Sequence, residues 1–465
     1  MAYKFNVTAA KGTIPIVPIE TEVLKAWLRT QDAAMRRWVA STGFKAGAGE
    51  ISLVAGADGA LARVLVGVRT HDGFWSYAGL PDALPTGNYR IDAVLEAPEA
   101  TNAALGWALG CYRFDRYSRA KRKTFPALVW PRNCDRARVR RAGDATFLVR
   151  DLINTPADDM GPAELATAAR RVARGHGARV RVLVGDALLR NRYPTIHAVG
   201  RASARAPRLI DLRWGKPKSP RVTLVGKGVC FDTGGLDLKR AGGMLRMKKD
   251  MGGAAHVLGL AQMIMSAGLD VRLRVLIGAV ENSVAGNAYH PADVIRTRKG
   301  ITVEIGNTDA EGRLVMCDLL AEGMREKPAL IADCATLTGA ARVAVGTELA
   351  AMFCNDDATA DDLMRCGVAV SDPIWRLPLW APYRHLLDSK VADINNVSEG
   401  GVAGAITAAL FLQEFVDSGT PWVHLDIMAW NSVARPGRSV GGEAMGMRAL
   451  FRLIENRFAG RRRRR

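Results

Sequence analysis

Four carboxylates and three cations of this 465-residue chain stand in a pattern that could hold metal ions and hydrolyse a polar bond. The densest group is Asn307-Thr308-Asp309-Ala310-Glu311-Gly312-Arg313-Leu314, directly after the β-branched run Ile301-Thr302-Val303-Glu304-Ile305. Upstream lie Lys227 and Asp232 in Gly226-Lys227-Gly228-Val229-Cys230-Phe231-Asp232-Thr233-Gly234-Gly235, then Lys239, then Asp250 in Lys248-Lys249-Asp250-Met251-Gly252-Gly253-Ala254-Ala255. Asp232, Asp250, Asp309 and Glu311 carry four negative charges, which would neutralise two divalent cations. Co-catalytic ions sit about 3.5–4 Å apart, so bridging carboxylates are needed to screen their repulsion. Thr308 with Glu311 three positions later also fits a helix capping box, which would be structural only.

Placement points the same way. Ligands of open α/β sheets gather outside the carboxyl ends of the strands. Val222–Val225 precedes Lys227 and Asp232, and Ile301–Ile305 precedes Asp309. A third run, Ala329–Cys334, leads into Ala335-Thr336-Leu337-Thr338-Gly339-Ala340, whose small residues would let a substrate backbone approach. Three strand ends are therefore expected to line one site.

Across these motifs the chain resembles the leucine aminopeptidase (cytosol aminopeptidase) family of two-metal exopeptidases. Asn307–Leu314 matches the family's signature octapeptide, and the Gly226–Gly235 segment, Lys239, Lys248–Ala255 and Thr336–Ala340 accompany it in order. The similarity covers about residues 145 to 455. It implies removal of the first residue from peptides, expected to be leucine-like or methionine-like from the mostly apolar, uncharged pocket residues, by a homohexamer whose active sites face an internal cavity. One ion, zinc or manganese, would be held by Asp232, Asp309 and Glu311 with the Asp309 carbonyl. The other would be held by Lys227, Asp232, Asp250 and Glu311, so that Asp232 and Glu311 bridge. Lys227 can ligate only when neutral, which requires its pKa to fall far below about 10.4.

A hydroxide bridging the ions would then attack the scissile carbonyl, while one ion holds the substrate's α-amine. Lys239 is expected to stabilise the oxyanion, and Arg313 to anchor a bicarbonate that relays the proton. The resemblance places Met247, Asn307, Thr336 and Gly339 around the substrate. The stretch His424-Leu425-Asp426-Ile427-Met428-Ala429-Trp430-Asn431 departs from the family, and Met428 or Trp430 would reshape the pocket.

Other polar residues read as structural. His256 lies six residues after Asp250 in an expected helix, Gly253 to Met265, and belongs to its packing. Cys230 stands between two candidate ligands, but seven scattered cysteines without a C-x-x-C pair argue for reduced, buried thiols. Such usage fits a cytoplasmic protein, as does an N-terminus without a signal-peptide pattern. The apolar stretch Met251 to Leu269 contains His256, Gln262 and several glycines and reads as a buried helix rather than a membrane span. Ala405–Leu412 reads as a second central helix.

Length and strand–helix alternation predict two α/β domains. The smaller covers 1–141, with an amphipathic segment Glu22 to Val39, strands near Ile51–Val54 and Ala60–Val68, and a helix ending near Tyr112–Tyr117. A connecting helix spans 142–156 and breaks at Pro156. The catalytic domain, a central mixed sheet flanked by helices, follows over 157–460, and a basic tail occupies 461–465. The formal net charge of +19 is concentrated: Arg113 to Arg141 carries eleven Lys or Arg against two Asp, and the chain ends in five arginines. Non-specific nucleic-acid binding is the competing expectation, with a DNA-binding hexamer as the alternative function. The null hypothesis is a solvated basic surface, with Tyr112, Phe114, Tyr117 and Trp130 equally placed to be core.

Overall fold

A computed structural model describes residues 3–69, 74–119 and 123–458. The described chain divides into two compact units, one of Met1–Phe147 with Ser432–Val440, the other of Leu148–Asn431 with the chain from Gly441 onward. The arginine run 461–465 lies outside the described residues.

In the first unit six strands, β1 (Lys4–Asn6), β2 (Ile14–Glu20), β3 (Ile51–Ala55), β4 (Leu61–Val68), β5 (Asn88–Ile91) and β6 (Ala127–Val129), form a sheet of order β1-β6-β5-β2-β4-β3. All neighbours are parallel except β3 and β4. The segment expected as one amphipathic stretch from Glu22 to Val39 is two helices, Leu24–Arg29 and Ala33–Thr42. Asp32 separates them, because its carboxylate accepts from Met35 N and starts the second helix. Met35 and Val39 then pack with Ile19, Val54 and Leu65. The next long helix, Ala97–Gly110, stops two residues short of the expected end.

The connecting helix starts earlier than expected, spanning Arg136–Asn154. Asp135 sets that start by accepting from Arg138 N at 2.9 Å. Aromatic residues of the basic stretch are partly core: Tyr112 and Trp130 are buried, and Trp130 stacks on Phe5 at 3.8 Å between centroids. Tyr117 is exposed.

The second unit is built on an eight-stranded mixed sheet from β7 (Arg179–Val184), β8 (Arg208–Trp214), β9 (Arg221–Asp232), β10 (Arg272–Asn282), β13 (Leu330–Ala335), β14 (Ala350–Cys354), β15 (Ile374–Arg376) and β17 (Trp422–Asp426). Its order is β15-β14-β17-β13-β9-β10-β8-β7. The four central strands β17, β13, β9 and β10 are parallel, so their carboxyl ends share one edge. They are buried over nearly their whole length, which is why they read as continuous apolar runs. The helices Gly252–Ser266, Glu311–Met324 and Gly404–Gln413 are buried almost throughout. No helix among the described residues is long and apolar enough to cross a membrane.

Two strand readings are corrected. The strand expected to end at Val225 continues through Asp232, so Lys227 and Asp232 sit inside β9 rather than after it. The strand before Asp309 is only Thr302–Glu304 (β12), and it belongs to a separate three-stranded sheet with β11 (Val294–Arg296) and β16 (Ile394–Asn395). The signature octapeptide is thus delivered to the site from a different sheet.

Candidate active site

Lys227 and Asp232 are five residues apart, a spacing that would put them on opposite faces of a regular strand. The β9–β10 pairing shifts register so that Val280 meets Val229 and Glu281 meets Phe231, leaving Cys230 as an extra residue. That bulge restores Lys227 and Asp232 to one face. Cys230 itself is buried, burial pushes its thiol well above the usual range, and its Sγ lies 3.6 Å from Gly228 O. It is a structural residue, as expected.

The helix Gly252–Ser266 approaches closely from beneath. A Cβ on Gly253 would stand 2.0 Å from Cys334 O and 2.9 Å from Lys227 N. Only glycine permits that contact, and it seats Asp250, three residues earlier, beside β9. The helix Glu311–Met324 crosses equally tightly, since a Cβ on Gly312 would meet Lys227 Cε at 2.7 Å.

The side chains converge. Lys227 Nζ lies 2.7 Å from Asp250 Oδ2 and 2.8 Å from Glu311 Oε1, and donates to Thr336 O at 2.9 Å. Lys239 Nζ lies 2.8 Å from Asp232 Oδ2 and pairs with Asp309 Oδ1. Carboxylate oxygens of Asp232, Asp309 and Glu311 fall within 4.8 Å of one another. Thr336 Oγ1 fixes Asp250 Oδ1 at 2.7 Å, and Asn282 Nδ2 fixes Asp232 Oδ1 at 2.9 Å.

The electrostatics are those of a crowded anionic cluster. Burial pushes Glu311 up to about 8, with Asp232 adding to the shift and Lys227 opposing it. Burial also raises Asp309, against the Lys239 hydrogen bond. For Lys227 burial acts downward, yet Asp250, Glu311 and Asp232 outweigh it and hold the ammonium above its usual range. Burial alone therefore does not produce the neutral lysine that ligation demands. Dications beside it would have to.

The donor set fits divalent metal. Asp250 Oδ2 and Glu311 Oε1 are fully buried and, among the described residues, have no partner of hydrogen-bond geometry apart from the Lys227 ammonium. With Lys227 neutral, as ligation demands, these buried oxygens would be costly unless another cation met them. All carboxylate donors are hard oxygen ligands.

The Asn307–Leu314 loop owes its shape to residues that spacing did not reveal. Thr308 does not cap the helix: the N-cap is Ala310, without a side-chain bond, and Thr308 Oγ1 donates to Gly234 O at 2.7 Å while Asp237 Oδ2 accepts from Thr308 N at 2.7 Å. Asn396, fully buried at the end of β16, accepts from Gly306 N and Asn307 N and donates to Asn307 O. Tyr289 donates its hydroxyl to Thr308 O at 2.6 Å.

A cavity of about 430 Å³ opens on the cluster. Lys227, Asp232, Lys239, Asp250, Asp309 and Glu311 line it, as do Met247, Thr336 and Gly339 and the departing residue Met428. Asn307 and Arg313 do not. Asn307, expected at the substrate, instead accepts from Asp309 N at 2.6 Å in an Asx turn. Arg313 is buried, donates to Asn396 O, lies 6.0 Å from the Phe411 ring centroid and is pushed down to about 10 by burial. Trp430 lies outside the lining, with Lys248 over its ring at 5.7 Å. Lys249 and Asp426 line the cavity without having been singled out from the sequence. His256 is buried between Gly252 O at 2.6 Å and Met445 N at 2.8 Å and does not line the cavity.

The fold has known counterparts. The chain superposes on a cytosol aminopeptidase from Coxiella burnetii with TM-score 0.93 and 50% identity, covering 98% of this chain and 99% of the other. The bottromycin maturation enzyme BotP, solved in complex with Mn, gives TM-score 0.87 and 35% identity over 95% of this chain and 99% of its own. These likenesses define the two-domain α/β fold of an aminopeptidase-class hydrolase. The pattern of the cytosol aminopeptidase family, catalytic domain, matches residues 147–451, and that of the M17 aminopeptidase N-terminal domain matches 14–131. Probable cytosol aminopeptidases of Xanthobacter autotrophicus and Nitrobacter winogradskyi are 42% and 43% identical, each over 70% of this chain and over 68% and 66% of their own lengths. The chain belongs to the cytosol aminopeptidase family.

Proposed function

We propose that the protein is a metal-dependent aminopeptidase that releases leucine- or methionine-like residues from peptide N-termini. The observation that carries this reading is the convergence of Asp232, Asp250, Asp309, Glu311, Lys227 and Lys239 on one cavity. Asp232, Asp309 and Glu311 would hold one divalent ion, and Lys227, Asp232, Asp250 and Glu311 the other. Oxygen donors and the manganese of BotP favour manganese, while zinc rests on the family resemblance alone. When bound, two such ions supply Lewis acidity at the scissile carbonyl and acidify the attacking water.

The chain's own residues would do the rest. Lys239, the cation held at the cavity beside Asp232 and Asp309, would meet the developing oxyanion. Thr336 and Asn282 would keep the Asp250 and Asp232 carboxylates aimed. Arg313, whose Nε has no hydrogen-bond partner among the described residues, would hold the bicarbonate. Met247, Met428, Thr336 and Gly339 would receive the first side chain, their apolar or uncharged surfaces favouring an aliphatic one. A homohexamer and a cytoplasmic location complete the reading, both on family resemblance, and a mass measurement in solution checks the first.

The deciding experiment compares a leucyl peptide with its N-acetylated form, with and without Mn²⁺ or Zn²⁺. Release of leucine only from the free N-terminus, and only with metal, is expected. Cleavage of the blocked peptide, or full activity after exhaustive chelation, overturns the reading.

A further inference from the structure

Lys249 lines the cavity although it is only 8% exposed. Its backbone N–H is taken by Arg246 O, but among the described residues its ammonium makes no hydrogen bond or ion pair. The acceptors around it are engaged elsewhere. Asp250 Oδ1 receives Thr336 Oγ1 and its Oδ2 faces Lys227. The Asp426 carboxylate receives Leu337 N, Thr338 N and Thr338 Oγ1. An ammonium that is mostly buried and opens on the cavity is poorly hydrated there, and a ligand acceptor in the cavity would meet it. At the same cavity the exposed Arg240 and Arg342 also make no side-chain hydrogen bond or ion pair among the described residues. The unpaired side-chain charge contributed by Lys249, Arg240 and Arg342 is positive.

Apolar surface lies beside this donor, because Met247 and Met428 line the same cavity. The combination fits a side chain with an apolar stem and an anionic tip. We propose that Lys249 is a specificity-determining residue that receives the side-chain carboxylate of an N-terminal glutamate. The enzyme then releases glutamate as well as leucine-like residues. This rests on the aminopeptidase reading and deepens it by naming a second substrate class.

The test measures kcat/KM for glutamyl, glutaminyl and leucyl amides on the metal-loaded protein and on Lys249→Met. The wild type is expected to release glutamate, and more readily than glutamine. In Lys249→Met the glutamyl-to-leucyl ratio should fall about tenfold or more, the effect of one lost hydrogen bond between charged groups. Calorimetric binding of free glutamate and free leucine gives a readout independent of turnover, and the glutamate preference should fall in the variant by a similar factor. A wild type that releases leucine but not glutamate overturns the proposal while leaving the aminopeptidase reading intact, and so does an unchanged ratio in Lys249→Met. If Lys249→Met does not fold, the wild-type comparison decides. Failure to release any N-terminal residue overturns the aminopeptidase reading itself.

Discussion

Lys239 neutralises Asp232 and Asp309, two of the carboxylates that would bind metal, so removing it has opposite effects on binding and on chemistry. Lys239→Ala leaves those carboxylates more anionic and should retain both ions, yet lose about 10²–10³ in kcat, the effect of a missing oxyanion donor. Asp232→Ala or Glu311→Ala should lose metal and turnover together, since each is assigned to both ions. Metal content after dialysis, measured beside kcat, checks both expectations, and a Lys239→Ala protein stripped of its ions would refute the role given to Lys239. The motif-borne residues were legible because each lies in a short run whose chemistry is local. Asn396 was not: it straps the Asn307 loop from 89 positions away, and an isolated asparagine carries no local signal. Lys249 was hidden for another reason, since a lysine beside an aspartate reads as surface charge until burial is known.

At the level of elements, the site depends on how near one helix comes to two strands. Gly253 touches Cys334 of β13 and Lys227 of β9, and the Cβ of even an alanine would overlap backbone on both sides. Gly253→Ala should therefore destabilise the protein by roughly 1–3 kcal/mol, because neither strand can retreat within a packed sheet. Gly175→Ala is the control, as nothing lies within 4 Å of a Cβ there. Thermal unfolding should show a lower midpoint for the first and little change for the second; equal midpoints would mean the contact is looser than described. The small start of this helix was visible in the sequence, as were the buried strands, because apolar runs and glycine pairs are local signals. The bulge at Cys230 was not, for it arises from register with β10 fifty residues downstream. Nor was the separate sheet that carries Asp309, since a three-residue strand has no periodicity to read.

For the whole molecule, the open matter is its charge of +19. Much of the basic stretch Arg113 to Arg141 is engaged internally. Arg113 and Lys123 share Asp82, Arg138 pairs with Asp135, and Arg136 and Arg140 each stand 5.6 Å over the Trp130 ring. Trp130 and Tyr112 are core residues rather than bases' stacking partners. Phosphates would have to compete with those contacts, so duplex DNA binding should be weak and absent at near-physiological salt. Each phosphate neutralised adds about 0.9 to the magnitude of the slope of log affinity against log salt, and a slope worth only a few contacts is expected at low salt. Fluorescence anisotropy of labelled duplex across a salt series measures it, with peptide hydrolysis followed in parallel. Deleting Arg461 to Arg465 should leave hydrolysis unchanged, because every residue lining the cavity lies between Lys227 and Met428. Tight binding that persists at physiological salt and disappears with that deletion would make the terminal arginines a nucleic-acid contact, independent of the catalytic cavity.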